Sequence, residues 1–420
     1  MKRVLLRLFP TTILIILIFN SACGPRGDLS DWRGPGRDGI FPETGLLKEW
    51  PGEGPALLWT AKGFGLGHNS VAVTRDHVFV TGVRDSAEAT GILSVFDLNG
   101  QLLWEKGYGK EFTSYLPGTR STPVVVDDLI YIQSGAGAVY CLDTGTGEEV
   151  WSVDFLEDLG VDSLIQFGYS ESVLVDGDHL VCVPGGRKHN VVALDRFTGE
   201  TIWSCAGNGE QATYNSPIVI ETGSNRLVIA MTAASIMGID ASTGEMYWRF
   251  EQTQGNHIHA NTPLWADGKL VVSSVDAKST SGMVQIAVSA DGKHAEEVWR
   301  NKKFRNAYGG IVRVDTCIYG SMAFGRNWQV LGWNSGEMLV QHKELGNGAI
   351  IYADGMFYCF TEKEGEVALV DAGPDHFEVV SSFRIPFASE QHWAHPVIRD
   401  GVLYIRHSDV LMAFDIRAEA

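Results

Sequence analysis

One phrase recurs along this chain. Leu142-Asp143-Thr144-Gly145-Thr146-Gly147-Glu148 runs on to Trp151, Leu194-Asp195-Arg196-Phe197-Thr198-Gly199-Glu200 to Trp203, and Ile239-Asp240-Ala241-Ser242-Thr243-Gly244-Glu245 to Trp248. Trp59, Trp104, Trp151, Trp203, Trp248 and Trp299 follow one another at steps of 45 to 52 residues. A period of that length belongs to a four-stranded propeller blade, a unit that buries its faces only against copies of itself.

Each position in the repeat has a mechanical reason. A unit opens with a small residue and alternating aliphatics, as in Ser121-Thr122-Pro123-Val124-Val125-Val126. Asp127-Asp128 makes a turn, Leu129-Ile130-Tyr131-Ile132 a second strand, and Ala138-Val139-Tyr140-Cys141-Leu142 a third. The Asp that follows accepts hydrogen bonds from turn amides, and the Gly of Thr-Gly-Glu supplies the positive φ of the hairpin before the Trp strand.

The later units diverge but remain countable. Asn261-Thr262-Pro263 opens the fifth, Gly310-Ile311-Val312 the sixth, Ala349-Ile350-Ile351 the seventh and His395-Pro396-Val397 the eighth. The eighth has no room for a Trp strand after Ile416, whereas Pro55-Ala56-Leu57-Leu58-Trp59 precedes the first complete opening at Ser70-Val71-Ala72-Val73. An N-terminal strand that completes the last blade closes the ring without free edges. The expectation is an all-β, eight-bladed propeller over residues 54–420.

The blade consensus resembles the pyrroloquinoline-quinone (PQQ) type propeller repeat, and the resemblance spans roughly residues 51 to 420. Two kinds of protein share that repeat: quinoprotein alcohol dehydrogenases and the propeller lipoprotein of the outer-membrane barrel-assembly machinery. Asp31-Trp32-Arg33-Gly34-Pro35-Gly36-Arg37-Asp38-Gly39 also resembles the start of many bacterial propellers of this type. The resemblance implies either a scaffold for an envelope partner or a periplasmic PQQ- and calcium-dependent dehydrogenase of alcohols or sugars.

The N-terminus addresses the chain to the envelope. Met1-Lys2-Arg3 and Arg7 precede an apolar run from Ile13 to Phe19, and Asn20-Ser21-Ala22-Cys23-Gly24 follows. This pattern is a lipoprotein signal peptide over residues 1–22, too short for a membrane span, with cleavage before an acylated Cys23. The expected location is the outer membrane, with the protein facing the periplasm. Residues 23–53, rich in Gly and Pro, read as a tether, with Trp32 and Trp50 as apolar residues that invite docking. A net charge of -18 excludes nucleic acid and electrostatic adhesion to anionic lipid.

Cys141, Cys182, Cys205, Cys317 and Cys359 remain, an odd number. Those inside apolar strands read as small buried hydrophobes, and a Cys182–Cys205 bridge stays open.

The sequence has no Cys-x-x-Cys-His, His-Glu-x-x-His, Gly-x-Ser-x-Gly or P-loop motif. No helix follows Gly63-Phe64-Gly65-Leu66-Gly67, so it is not a dinucleotide loop. The chemistry concentrates instead just before each opening strand, where loops converge on one mouth of the axial channel. These loops supply His68, Arg120, Tyr169, Glu171, Tyr214, Asn215, His259, Asn261, Tyr308, Trp393 and His395.

That ring has three readings. Its members satisfy one another in a structural channel; or they hold a small polar ligand by the Tyr169, Tyr214, Tyr308 and Trp393 rings with Arg120 and Asn215; or they hold a metal or quinone. For the third, the quinoprotein resemblance implies Ca²⁺ on Glu171, Asn215 and Asn261, with Arg120 and Trp393 against PQQ. It departs from that family in the absence of the adjacent-cysteine pair and of an evident carboxylate base, blade five offering Asn261. A transition-metal variant uses His257 and His259, with His68 or His392. Arg33 and Arg37 read as anchors for the tether. No cofactor is firmly implied; the reading adopted is a lipid-anchored module that binds an envelope partner or small polar ligand at the axial mouth.

Overall fold

The computed structural model describes residues 30–418, apart from 253–257, 276–281, 324 and 388–390. Eight antiparallel sheets succeed one another around a ring, at 72–110, 124–154, 174–205, 218–251, 264–301, 311–342, 348–384 and 397–415. We number these blades one to eight. Ala56–Lys62 pairs antiparallel with Val410–Asp415 as the outermost strand of blade eight, the closure expected from the sequence. Among the described residues there is no helix.

The repeated phrase builds the same turn each time. Asp143 Oδ1 accepts hydrogen bonds from the amides of Gly145 and Thr146, and Asp240 Oδ1 from those of Ser242 and Thr243. The glycine then has a second role that the sequence does not announce. Gly199 has a φ of +75°, and a Cβ there would lie 2.8 Å from the Trp151 ring of the preceding blade; at Gly244 it would lie 2.7 Å from Trp203. Each Trp caps the next blade's turn, with Trp151 Nε1 donating to Arg196 O, Trp203 to Ala241 O, Trp248 to Gly292 O and Trp299 to Trp333 O. The motif is thus an inter-blade clasp as well as a hairpin.

A second tie runs near the axis. The Ser70 amide donates to Thr122 Oγ1, the Thr122 amide to Ser172 Oγ, and the Ser172 amide to Ser216 Oγ. Ser70 Oγ donates to His395 O, linking blade one to blade eight. Between blades the sheet faces bury Val, Ile and Leu side chains, such as Val181, Val192 and Val228 in one cluster. The five cysteines are free and buried. Cys182 and Cys205 flank the strand Val191–Asp195 on opposite sides, Cys182 against Val192 and Cys205 against Val191. Alternate strands lie about 9 to 10 Å apart, beyond disulfide reach.

The question of docking is answered for residues 30–53, which pack on the ring. Ser30 bridges antiparallel to Val125 in the innermost strand of blade two, and Ile40–Phe41 pairs parallel with Tyr352 and Ala353 in that of blade seven. Between them the chain crosses the axis. Innermost strands are sheet edges, so their channel-side carbonyls lack ladder partners. Arg37 donates to Ser172 O, Val173 O and Pro217 O from blades three and four, and Arg33 to Ile311 O from blade six. Asp31 is ion-paired with Arg37, and both side chains are almost wholly buried. Burial brings the Arg33 guanidinium down to about 10, with Asp38 and Asp31 opposing the shift. Farther on, the Trp50 ring meets Tyr358 and Phe383. The stretch from Asp31 to Arg37 plugs the channel. The signal peptide, Cys23 and residues 24–29 lie outside the described residues, as does His257.

Candidate functional site

Above the plug, on the side where the innermost strands begin, lies an axial chamber. Its floor is Trp32, set edge-on to the His395 ring at 4.8 Å, with Ser70, Thr122, Ser172, Ser216 and Thr262 around it. Its upper part is a cavity of about 350 Å³ lined by His68, Tyr115, Leu116, Arg120, Phe167, Ser170, Tyr214, Ile258, Ala260, Tyr308, Gln391 and Trp393. No carboxylate stands in either wall among the described residues.

Two arcs of rings make the cavity. Tyr308, Trp393 and His68 follow one another with centroids 5.0 Å apart. Across the mouth Tyr115 meets Phe167 at 5.2 Å, and Phe167 meets Tyr214 at 6.0 Å. Glu362 holds the first arc in place: it accepts from Trp393 Nε1 at 2.9 Å and from Asn347 Nδ2 at 2.6 Å, and its carbonyl faces His392 Nδ1 at 2.8 Å. Such an apolar cavity with a few fixed polar groups is the ordinary form of a binding site.

Arg120 lines this wall without offering most of its donors. Its guanidinium donates to the carbonyls of Phe112, Tyr115, Leu116 and Gly118, and so organises the loop that carries Tyr115. Burial lowers its pKa. Burial also brings His68 down to about 4, helped by Arg120 and Arg406, and His395 to about 3, helped by Arg33. Both imidazoles are therefore neutral at pH 7. His395 Nε2 is 2.8 Å from Tyr308 O, which fixes it as the protonated nitrogen.

Six of the eleven residues singled out from the sequence line the chamber: His68, Arg120, Tyr214, Tyr308, Trp393 and His395. The other five face elsewhere. Tyr169 donates to Pro184 O at 2.7 Å and packs on Phe155. Glu171 accepts from the Val183 amide at 2.8 Å, and burial pushes its carboxyl up to about 8. Asn261 donates to Asn306 O, and His259 Nδ1 lies 3.2 Å from Ser274 Oγ. Asn215 is buried, and its amide nitrogen has no hydrogen-bond partner among the described residues. The sequence reading also passed over Tyr115, Leu116, Phe167 and Gln391. Tyr115 and Phe167 stand several residues before the openings at Ser121 and Ser172; the length of those two loops was the available signal.

The calcium-quinone arrangement does not fit this geometry. Ca²⁺ takes six to eight oxygen donors, with carboxylates prominent. Here burial pushes the Glu171 carboxyl up to about 8 and it is bonded to main chain within its own blade, while Asn261 is turned to a carbonyl. Among the described residues no three His, Cys, Asp or Glu side chains converge as metal ligands.

A family described as outer membrane protein assembly factor BamB matches residues 89–368. The protein of that name from Kangiella koreensis is 29% identical over 210 residues, 49% of this chain and 48% of that one. The quinohemoprotein alcohol dehydrogenase of Comamonas testosteroni is 27% identical over 151 residues, 33% of this chain and 20% of that one. The matched regions thus span less than half the length of these relatives. Among solved structures, BamB from Moraxella catarrhalis aligns with a TM-score of 0.59 at 13% identity, covering 86% of this chain and 99% of that one. Quinohemoprotein alcohol dehydrogenase ADHIIG from Pseudomonas putida HK5 aligns with a TM-score of 0.62 at 13% identity, covering 94% and 81%. Both structural likenesses show the fold alone.

Proposed function

The chain belongs to the family described as outer membrane protein assembly factor BamB, and on that premise we propose that it is a lipid-anchored scaffold of the cell envelope. Residues 1–22 are its signal peptide, Cys23 carries the acyl chains, and residues 54–420 form the ring. Facing the periplasm from the outer membrane, it binds a partner protein in outer membrane protein assembly through the aromatic mouth.

The supporting observation is a mouth lined by aromatic rings and closed below by the chain's own Asp31–Arg37 crossing. A plugged channel receives a side chain or loop but passes nothing through. Tyr115 and Tyr308 are the exposed rings of the two arcs, 56% and 38% accessible, and rings of this kind anchor protein interfaces. A dehydrogenase reading draws on distant relatives, but the chamber lacks its donor set.

The test places a photo-crosslinking amino acid at Tyr115 or Tyr308 in cells, with the outer-strand position Leu102 as control. Adducts with an outer-membrane assembly protein at the mouth and not at Leu102, weakened by Trp393→Ala, are the expected result. Adducts at Leu102 alone overturn it.

A further inference from the structure

The route of the plug fixes which way the mouth points. Each innermost strand runs from the chamber toward the opposite face, as Val124–Val126 does on its way to the Asp127-Asp128 turn. Ser30 is antiparallel to that strand at Val125, so at Ser30 the chain heads away from the opposite face and toward the chamber. It rises to the chamber floor at Trp32, turns, and descends parallel to Gly348–Ala353 at Ile40–Phe41. It leaves on the face from which it heads at Ser30. There the Glu43 carboxylate accepts from the Asp400 and Gly401 amides, and the Leu46 amide donates to the Asp354 carboxylate.

Ser30 follows Cys23 by seven positions. Seven residues span at most about 24 Å. For the mouth to meet a bilayer that holds Cys23, the chain would have to run from the axis across the strands of a blade, about 14 Å, and along its height, about 20 Å. That path, on the order of 35 Å, exceeds the reach. The net charge of -18 gives the ring no attraction to anionic lipid that would compete with the tether.

We propose that the anchored protein turns the face of the Asp127, Asp354 and Asp400 turns toward the bilayer and holds the aromatic mouth pointing away from it. This rests on the acylation of Cys23 proposed above. The mouth then takes a protein segment standing in the aqueous periplasm, and lipid or a membrane-embedded segment lies out of its reach.

The test uses the full chain, acylated in cells and reconstituted into phosphatidylethanolamine–phosphatidylglycerol vesicles that carry a short-range acceptor dye on their headgroups. A fluorescent amino acid is placed at Asp128 on the far face or at Ser114 in the mouth loop. Quenching several-fold stronger at Asp128 is the expected result; equal or reversed quenching overturns the orientation. Mass spectrometry and flotation of the same samples keep the premise separate, because a chain without acyl mass overturns the anchor itself. A flexible insertion of about 20 residues after Gly24, long enough to reach either face, should erase the difference. If the bias survives the insertion, tether length does not set it and the argument fails.

Discussion

Replacing Arg37 by Met tests whether the channel crossing stabilises the ring. The substitution removes the ion-pair partner of Asp31 and donors to three main-chain carbonyls in blades three and four. Leaving a buried charge without its partner typically costs about 3–5 kcal/mol. We take about 4 kcal/mol, dominated by the stranded Asp31 carboxylate. Unfolding entropy of about 2.1 cal/mol/K per residue gives a chain of this length about 0.8 kcal/mol/K, so the melting temperature should fall by about 5 °C. The double variant Asp31→Asn/Arg37→Met removes the stranded charge and should recover about 2 kcal/mol of the loss. Hydrogen exchange supplies an independent readout. The Gly39 amide, bonded to Arg33 O, and the Tyr352 amide, bonded to Gly39 O, should lose protection, while blade five keeps its own. A loss under about 1 kcal/mol, or a double variant no better than the single, would refute the reasoning.

Stability should peak near pH 6.5. His395, held near 3, and His68 and His407, held near 4, are neutral in the fold; their contribution is complete above 6.5 and is lost as pH falls toward those values. Glu171 at about 8 and Glu111 at about 7 are protonated in the fold, so their contribution is complete below 4.5 and is lost as pH rises through 7 to 8. Denaturation midpoints should climb gently from 4.5 to 6.5, drop steeply below 4.5 and decline above 6.5, and Glu171→Gln should flatten the alkaline decline. Gly268→Ala, with a φ of +72° and open space, should cost about 1 kcal/mol. Gly199→Ala, which also drives into Trp151, should cost 1–3 kcal/mol more by about the same measurement. Arg120→Met should speed exchange in the 112–118 loop and leave the other blades unchanged. The five buried cysteines should ignore a thiol reagent until denaturant is added; rapid labelling of the native protein would contradict their burial.

The ring was legible because blades two, three and four rebuild one turn. Asp143, Asp195 and Asp240 each need their Gly four residues on, so the phrase survives in sequence. The plug was not legible, since Arg37 meets its carbonyls 135 to 180 positions away and Arg33 meets Ile311 at a separation of 278. No local pattern encodes such partners. Trp32 and Trp50 hinted at docking, and the Arg33 and Arg37 side chains do anchor the segment. At the mouth, the Ser and Thr that open blades one to five were recognisable, but side chains alternate along extended chain. Glu171 and Asn261 each precede a chamber hydroxyl by one residue and turn to main-chain groups instead. Composition marks both positions as polar without revealing which way they face.

The outermost strand of blade eight comes from residues made first, and its partner from residues made last. Ala56 and Asp415, paired at this seam, are about 360 positions apart. Bringing ends that distant together costs about 2.5 kcal/mol more chain entropy than closing a loop of about 20 residues. The chain therefore holds Ala56–Lys62 in waiting while seven blades form, with Ala61 and the Trp59 ring, which pack against the core of the closed ring, still uncovered. The last strand to dock is made before any complete blade, so the hazard of mispairing lasts until the final blade is finished.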